Sequence, residues 1–171
     1  SISREADQVA YTWAGPEIAV ASTKAYTTQL VTLLLLALYM GRLNGNLAAE
    51  KEEQILRDLI AVPDLCQKIF DHVDDIKGLC DAFKNAEDVF FIGRSMDYGL
   101  AMEGSLKLKE ISYIHAESYA GGELKHGTLS LIEKGIPVIA LATQKDVEEK
   151  MISNIKEVKA RDAYVIGVVQ E

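Results

Sequence analysis

Apolar residues follow two different regimes along this chain. From Ala25 to Leu43 they fall on nearly every side of a helical wheel. That run predicts a helix opened by Ser22-Thr23 as N-cap and stopped before Asn44-Gly45. A helix apolar on most sides has to be buried on most sides, so this one is expected inside a larger assembly. Ala48 to Ala61 and Asp64 to Phe83 instead keep charge on one face, which predicts two surface helices divided at Pro63. Ahead of all three, Gln8 to Ala14 (QVAYTWA) leans toward a strand and stops at the turn signal Gly15-Pro16.

The second half alternates. Asp88 to Gly93 (DVFFIG), Pro137 to Ala142 (PVIALA) and Ala163 to Val169 are short, almost wholly apolar runs, and each predicts a strand buried on both faces. Between them Met96 to Tyr113, Glu123 to Ile132 and Lys145 to Ala160 carry helical periodicity. Strands alternating with amphipathic helices predict an α/β fold with a parallel, doubly covered sheet. Right-handed crossovers then put ligand-binding loops at the C-terminal edge of the strands. The chain opens on Ser1 and closes on a strand, and is expected to be a piece of a longer one.

Composition narrows the partners. A net charge of −8 over 171 residues opposes a nucleic-acid-binding face, which needs basic stripes. An anionic sugar phosphate remains compatible, because local donors rather than net charge hold such groups. The longest apolar run, Val31 to Met40, is interrupted by Thr32 and is shorter than the roughly 20 residues a bilayer requires. Without a membrane span or a signal peptide, a cytoplasmic protein is expected. Cys66 and Cys80 form no CxxC pair, so two buried, reduced thiols are expected, with no disulfide framework and no zinc site.

Three segments carry candidate chemistry. Glu103, Lys107 and Glu110 recur at i, i+4 and i+7, on one face of the helix after DVFFIG. Spacing leaves two readings open: an ion-pair network of helix neighbours, or an acid–base device in which a cation controls a carboxylate. Arg94 follows the strand end directly, where α/β sheets place ligands. Tyr113 to Gly127 crowds two tyrosines, His115, His126 and Gly121-Gly122 into what reads as a connection between helices. An imidazole there suits proton transfer near neutral pH or a structural hydrogen bond, while the spacing of the histidines does not suit a metal. Gly15 to Lys24 (GPEIAVASTK) is a turn feeding a helix N-terminus, able to bind an anion or a sugar hydroxyl or to serve as an ordinary cap.

EIAVASTKAYTTQL, EGSLKLKEISYIHAESYAGGELKHG and TLSLIEKGIPVIAL resemble the isomerase region of the glutamine–fructose-6-phosphate amidotransferase (glucosamine-6-phosphate synthase) family, over about residues 1–171. The resemblance implies a three-layer αβα sandwich around a parallel sheet, SIS-type and flavodoxin-like, present as an incomplete copy. Residues 1–46 would be the last strand and helix of a first SIS lobe, and 47–171 a second lobe lacking its C-terminal end.

The resemblance also implies roles. Glu110 would move the proton between C1 and C2 of a fructosimine phosphate, with Lys107 beside it favouring its ionised form. His126 would assist ring opening in a neighbouring subunit's site. Val20 by its backbone and Ser22 by its hydroxyl would touch the sugar, with Glu103 and Arg94 close by. It implies no metal, no organic cofactor, a homodimer or larger assembly, and fructose 6-phosphate and glucosamine 6-phosphate as ligands. It further implies a glutaminase domain in the same parent chain, phosphate loops and a Schiff-base lysine, none of which these residues contain, so this stretch alone is expected to be inactive. Thr128 replaces a proline common in relatives, and Trp13 matches no family role. A related isomerase or deglycase of the same fold, or a non-catalytic sugar-phosphate sensor, are the alternative readings.

Overall fold

A computed structural model of the chain describes residues 1–170. The chain divides into two compact units, Ser1–Val73 and Asp74–Glu171. In the first, a single turn α1 (Ile2–Glu5) and an irregular stretch lead to α2 (Lys24–Leu43) and α3 (Ala49–Asp71). No strand forms over Gln8 to Ala14, where the sequence leans that way. Trp13 adopts φ 56° and Gly15 φ 67°, and such left-handed residues break an extended run. The expected break at Pro63 is also absent, because α3 runs through it. Proline removes one helix hydrogen bond and crowds the preceding turn, but α3 buries no residue, so the helix has no packing there to disturb.

The sides of α2 are less covered than its composition predicts. Leu38 is its one buried residue, while Leu33, Leu36 and Tyr39 are exposed. Cys66 and Cys80 are free, as expected, but exposed rather than buried, since neither α3 nor the short segment Cys80–Phe83 buries a residue.

In the second unit, which begins within α4 (Val73–Leu79), four parallel strands form one sheet in the order β2-β1-β3-β4. They are β1 (Asp88–Gly93), β2 (His115–Ala120), β3 (Pro137–Ala142) and β4 (Tyr164–Val169). Three of them sit where the apolar runs predict. β2 does not, because HAESYA is an edge strand with one buried residue, Ala116, and its order comes from a ladder on β1 running from Asp88↔His115 to Gly93↔Ala120. The expected helix over Glu123 to Ile132 is instead two 3₁₀ turns, Gly121–His126 and Thr128–Leu131, parted by Gly127 at φ 141°.

Side chains of β1 and β3 alternate between two cores. Phe90, Ile92, Val138, Ala140 and Ala142 pack with Leu124, Met151 and Val158, the last two from α6 (Glu148–Lys159). Val89, Phe91 and Leu141 pack instead with Ala101 and Leu108 of α5 (Met96–Ser112). The strand order explains the division. A β1→β2 crossover moves one way along the sheet, and β2→β3 and β3→β4 move the other way, so right-handed connections put α5 on one face and α6 on the opposite face. The sheet reverses direction between β1 and β3, and at such a switch point open α/β sheets form a crevice at the strand ends.

Two devices shape that crevice. Asp97, buried in the first turn of α5, accepts hydrogen bonds from the Thr143 amide at 2.8 Å and hydroxyl at 2.6 Å, tying the start of α5 to the end of β3. Gly93 ends β1 against that same turn, and a Cβ there would lie 2.5 Å from the Asp97 carbonyl. Backbone rather than a flexible side chain stands in the way. Gly93→Ala is therefore expected to lower stability by about 1–3 kcal/mol in urea unfolding, as overpacking does; a change below about 0.5 kcal/mol, ordinary for a surface substitution, would show that α5 does not start this close to β1.

Candidate functional site

Along α5, the inward positions Asp97, Ala101, Ser105 and Leu108 seat the helix on the sheet. Its spacing leaves Glu103, Lys107 and Glu110 to share another face, and they converge there as that spacing predicts. Lys107 Nζ donates to Glu110 Oε2 at 2.5 Å and lies 3.6 Å from Glu103 Oε1. The side chains are 20 %, 28 % and 21 % exposed for Lys107, Glu110 and Glu103 in turn, a half-sheltered position that strengthens the attraction relative to open water. The Glu110 hydrogen bond, and then the charges of Glu110 and Glu103, raise the Lys107 ammonium above its ordinary pKa of 10.5, against an opposing desolvation. A raised pKa means that the bridge is intact at and below the ordinary lysine range and is lost only as pH climbs through the higher value. The cluster therefore presents two carboxylates locked by one cation at neutral pH.

Arg94 does not join that cluster. It leaves the C-terminal end of β1 toward the α6 side, where its Nε donates to Asn154 Oδ1 at 2.9 Å. His126, the last residue of the 3₁₀ turn Gly121–His126, is exposed, and that turn packs through Leu124 on the α6 side as well. Within the second unit the structure thus brings together three of the expected residues and sets Arg94 and His126 on the other face of the sheet.

Polar residues along β2 are engaged structurally. His115 Nδ1 lies 2.6 Å from Asp88 Oδ1, directly across the first rung of the β1–β2 ladder. That hydrogen bond, helped by the charges of Glu117 and Asp88, raises the imidazole pKa above 6.5. Its contribution to the strand edge is full below 6.5 and is lost as pH rises through the shifted value. The Tyr119 hydroxyl donates to Glu117, which raises its pKa above 10. Thr128 is buried at the start of its 3₁₀ turn.

In the first unit, Val20 is 91 % exposed and Ser22 sits at the entrance to α2. Thr23 makes no side-chain cap bond to the helix. The cap is Glu17. Its Oε1 accepts the Thr23 amide at 2.9 Å, the Thr23 hydroxyl at 2.8 Å and the Lys24 amide at 3.2 Å. Its Oε2 accepts the Ala25 amide at 3.0 Å and the Ser22 hydroxyl at 3.1 Å. The helix-terminal donors that could bind an anion are therefore filled by the protein's own carboxylate. Ser22 spends its proton on Glu17, which leaves its oxygen as an acceptor and suits a donating sugar hydroxyl. A carboxylate five to eight residues upstream of its donors has no local sequence signature, and the acid in GPEIAVASTK is the one available clue.

The same geometry fixes a pH dependence. Led by the Thr23 amide bond, these donors hold the Glu17 pKa at about 2 against an ordinary 4.5. A lowered pKa makes the cap's contribution complete above the ordinary carboxylate range and removes it as pH falls toward 2. In an acid titration followed by amide NMR, the Thr23 and Ala25 amide shifts are expected to move with a midpoint near 2. A midpoint near 4.5 would mean that Glu17 stands free of the helix end.

Comparison with known proteins agrees with this architecture. The SIS domain family model matches residues 82–171. The chain is 57 % identical over 171 residues to the glutamine–fructose-6-phosphate aminotransferase (isomerizing) of Caldanaerobacter subterraneus subsp. tengcongensis, covering all of this chain and 28 % of that protein. It is 56 % identical over 168 residues to the protein of the same name from Clostridium perfringens, covering 98 % of this chain and 28 % of the relative. It thus spans little more than a quarter of these relatives' length. Among solved structures, the C-terminal domain of glucosamine-fructose-6-phosphate aminotransferase from Francisella tularensis superposes with a TM-score of 0.94 at 40 % identity, over 98 % of this chain and 48 % of that one. Glucosamine-6-phosphate deaminase from Thermotoga maritima gives 0.67 at 26 % identity, over 90 % and 44 %. With a matching family model over more than half its residues and the parallel sheet that the fold requires, the chain belongs to the SIS domain family.

Proposed function

We propose that this chain is part of the isomerase region of an enzyme that converts fructose 6-phosphate and glutamine-derived ammonia into glucosamine 6-phosphate. The observation that carries the reading is the half-sheltered cluster on α5, in which Lys107 bridges Glu103 and Glu110. Moving a proton between C1 and C2 of a ketose-derived imine needs a carboxylate that is ionised, fixed and within reach of two adjacent carbons. Glu110 is that base, and Lys107 holds its orientation. Glu103 anchors the second side of the ammonium and borders the sugar.

Ser22 accepts a sugar hydroxyl while bonded to Glu17, and the exposed backbone at Val20 supplies a further contact. His126, exposed and away from the α5 cluster, acts on ring opening in a neighbouring subunit's site. The uncovered apolar sides of α2 support assembly into a homodimer within a longer chain that also carries the glutaminase domain. Arg94, on its own side of the sheet, is left to contact an anionic group there. Acid–base and Schiff-base steps of this kind need no metal or organic cofactor. No helix among the described residues is long and apolar enough to cross a membrane, which supports a cytoplasmic place for the enzyme.

A second reading is supported by the likeness to the Thermotoga maritima deaminase. The same glutamate would then serve an isomerase or deaminase without amide transfer. Nitrogen from amide-labelled glutamine in the sugar product of the full-length protein separates the two.

General base catalysis contributes about 10²–10⁴-fold. In the full-length protein, Glu110→Gln is therefore expected to lower isomerisation by about that factor while leaving glutamine hydrolysis in place. An unchanged rate would remove Glu110 from the chemistry. Lys107→Ala should cost less and reshape the pH–rate profile, since it deletes the cation that fixes the carboxylate. A profile identical to that of the unaltered protein would make Lys107 purely structural.

A further inference from the structure

On the opposite face of the sheet from the Glu103–Lys107–Glu110 cluster lies a pocket of about 240 Å³ at the C-terminal end of β1. Its walls come from the loop after β1, the 3₁₀ turn Gly121–His126 and α6. In a chain of net charge −8, this pocket gathers three cations, Arg94, Lys125 and Lys150, against a single carboxylate, Glu157. Glu157 is already taken by Lys125, at 3.1 Å. The pocket therefore carries unbalanced positive charge in an acidic protein.

The central guanidinium is built into place. Asn154, 4 % exposed, accepts from Arg94 Nε at 2.9 Å. The Arg94 carbonyl accepts from Gln144 Nε2 at 3.0 Å, which fixes the backbone as well. Both terminal nitrogens, Nη1 and Nη2, lack an acceptor among the described residues. A planar pair of donors held this way matches two oxygens of a phosphate or carboxylate.

The glycine pair clears the approach. A Cβ on Gly121 would come within 2.5 Å of Asn154 Oδ1, the atom that orients the arginine. A Cβ on Gly122 would stand 3.6 Å from Nη1 and 3.7 Å from Nη2, beside the guanidinium. A side chain at Gly121 would disturb the anchor, and one at Gly122 would sit in van der Waals contact with the donors.

We propose that this pocket binds a phosphate group, with Arg94 Nη1 and Nη2 as paired donors and Lys150 as the second cation. It is a subsite separate from the α5 cluster and does not depend on the reaction assigned to that cluster. A bound phosphate would join the loop after β1 to α6 across the sheet edge, so occupancy also stiffens the crevice at the switch point.

The test is an NMR titration of the whole ¹⁵N-labelled chain at constant ionic strength, with inorganic phosphate, glucosamine 6-phosphate and chloride in separate arms. Saturable shifts of the Gly121 and Gly122 amides and of the Arg94 Nε–H are expected with both phosphates and not with chloride. Equal affinities would identify the free ion as the ligand, and tighter binding of the ester would identify a phosphosugar. Lys150→Glu, an exposed change on α6, should weaken binding roughly tenfold or more with an otherwise unchanged spectrum. Arg94→Lys, which keeps charge but loses the paired donors, should weaken it as well. Non-saturating shifts, shifts matched by chloride, or affinity unaltered in both variants would overturn the proposal.

Discussion

Everything in the second unit depends on burying β1 from both sides. Val89 and Ile92 are completely buried on opposite faces, and Phe90 and Phe91 nearly so. A strand with no solvent face must be covered by two separate layers, and each covering layer brings its own polar residues to the strand's C-terminal edge. Gly93 lets α5 start directly at that edge, and Asp97 fastens the start of α5 to β3 through Thr143. The positions of Arg94, Asp97 and the helical trio all follow from that one constraint.

The two faces then diverge in chemistry. On the α5 side, carboxylates outnumber cations and lock around Lys107, an arrangement that withdraws and returns protons. On the α6 side, cations outnumber carboxylates around Arg94, an arrangement that holds an anion. Opposite charge balances on the two faces of one small sheet thus separate a proton-moving cluster from an anion-holding pocket. The first unit adds a third solution: Glu17 satisfies the α2 terminus internally and, by taking the Ser22 proton in a hydrogen bond, leaves that hydroxyl as an acceptor.

Legibility in the sequence tracked how local the cause was. DVFFIG and PVIALA are strands because burial on both faces demands continuous apolar runs, and such runs are visible in one dimension. The alignment of Glu103, Lys107 and Glu110 is equally local, fixed by helical spacing, although its chemical meaning came only with the family resemblance. β2 was hidden because its order is imposed by β1 rather than by its own residues. The continuity of α3 through Pro63 and the exposure of Cys66 share another cause, since both depend on how little packs against that helix. The separation of Arg94 from the trio could not be read at all. Arg94 directly follows β1 and the trio sits on the next helix, and only the division of the chain between the two sheet faces sends them apart.

The central claim is that the polar face of α5 is where the sugar's proton is moved. The most direct measurement is a crystal structure of the full-length protein with an open-chain hexitol 6-phosphate, a stable stand-in for the ring-opened substrate. The account predicts that C1 and C2 lie against the α5 cluster, with a Glu110 carboxylate oxygen roughly 3 Å from the atoms that exchange the proton. A ligand seated with its C1–C2 end away from α5, and Glu110 still closed on Lys107 alone, would contradict it.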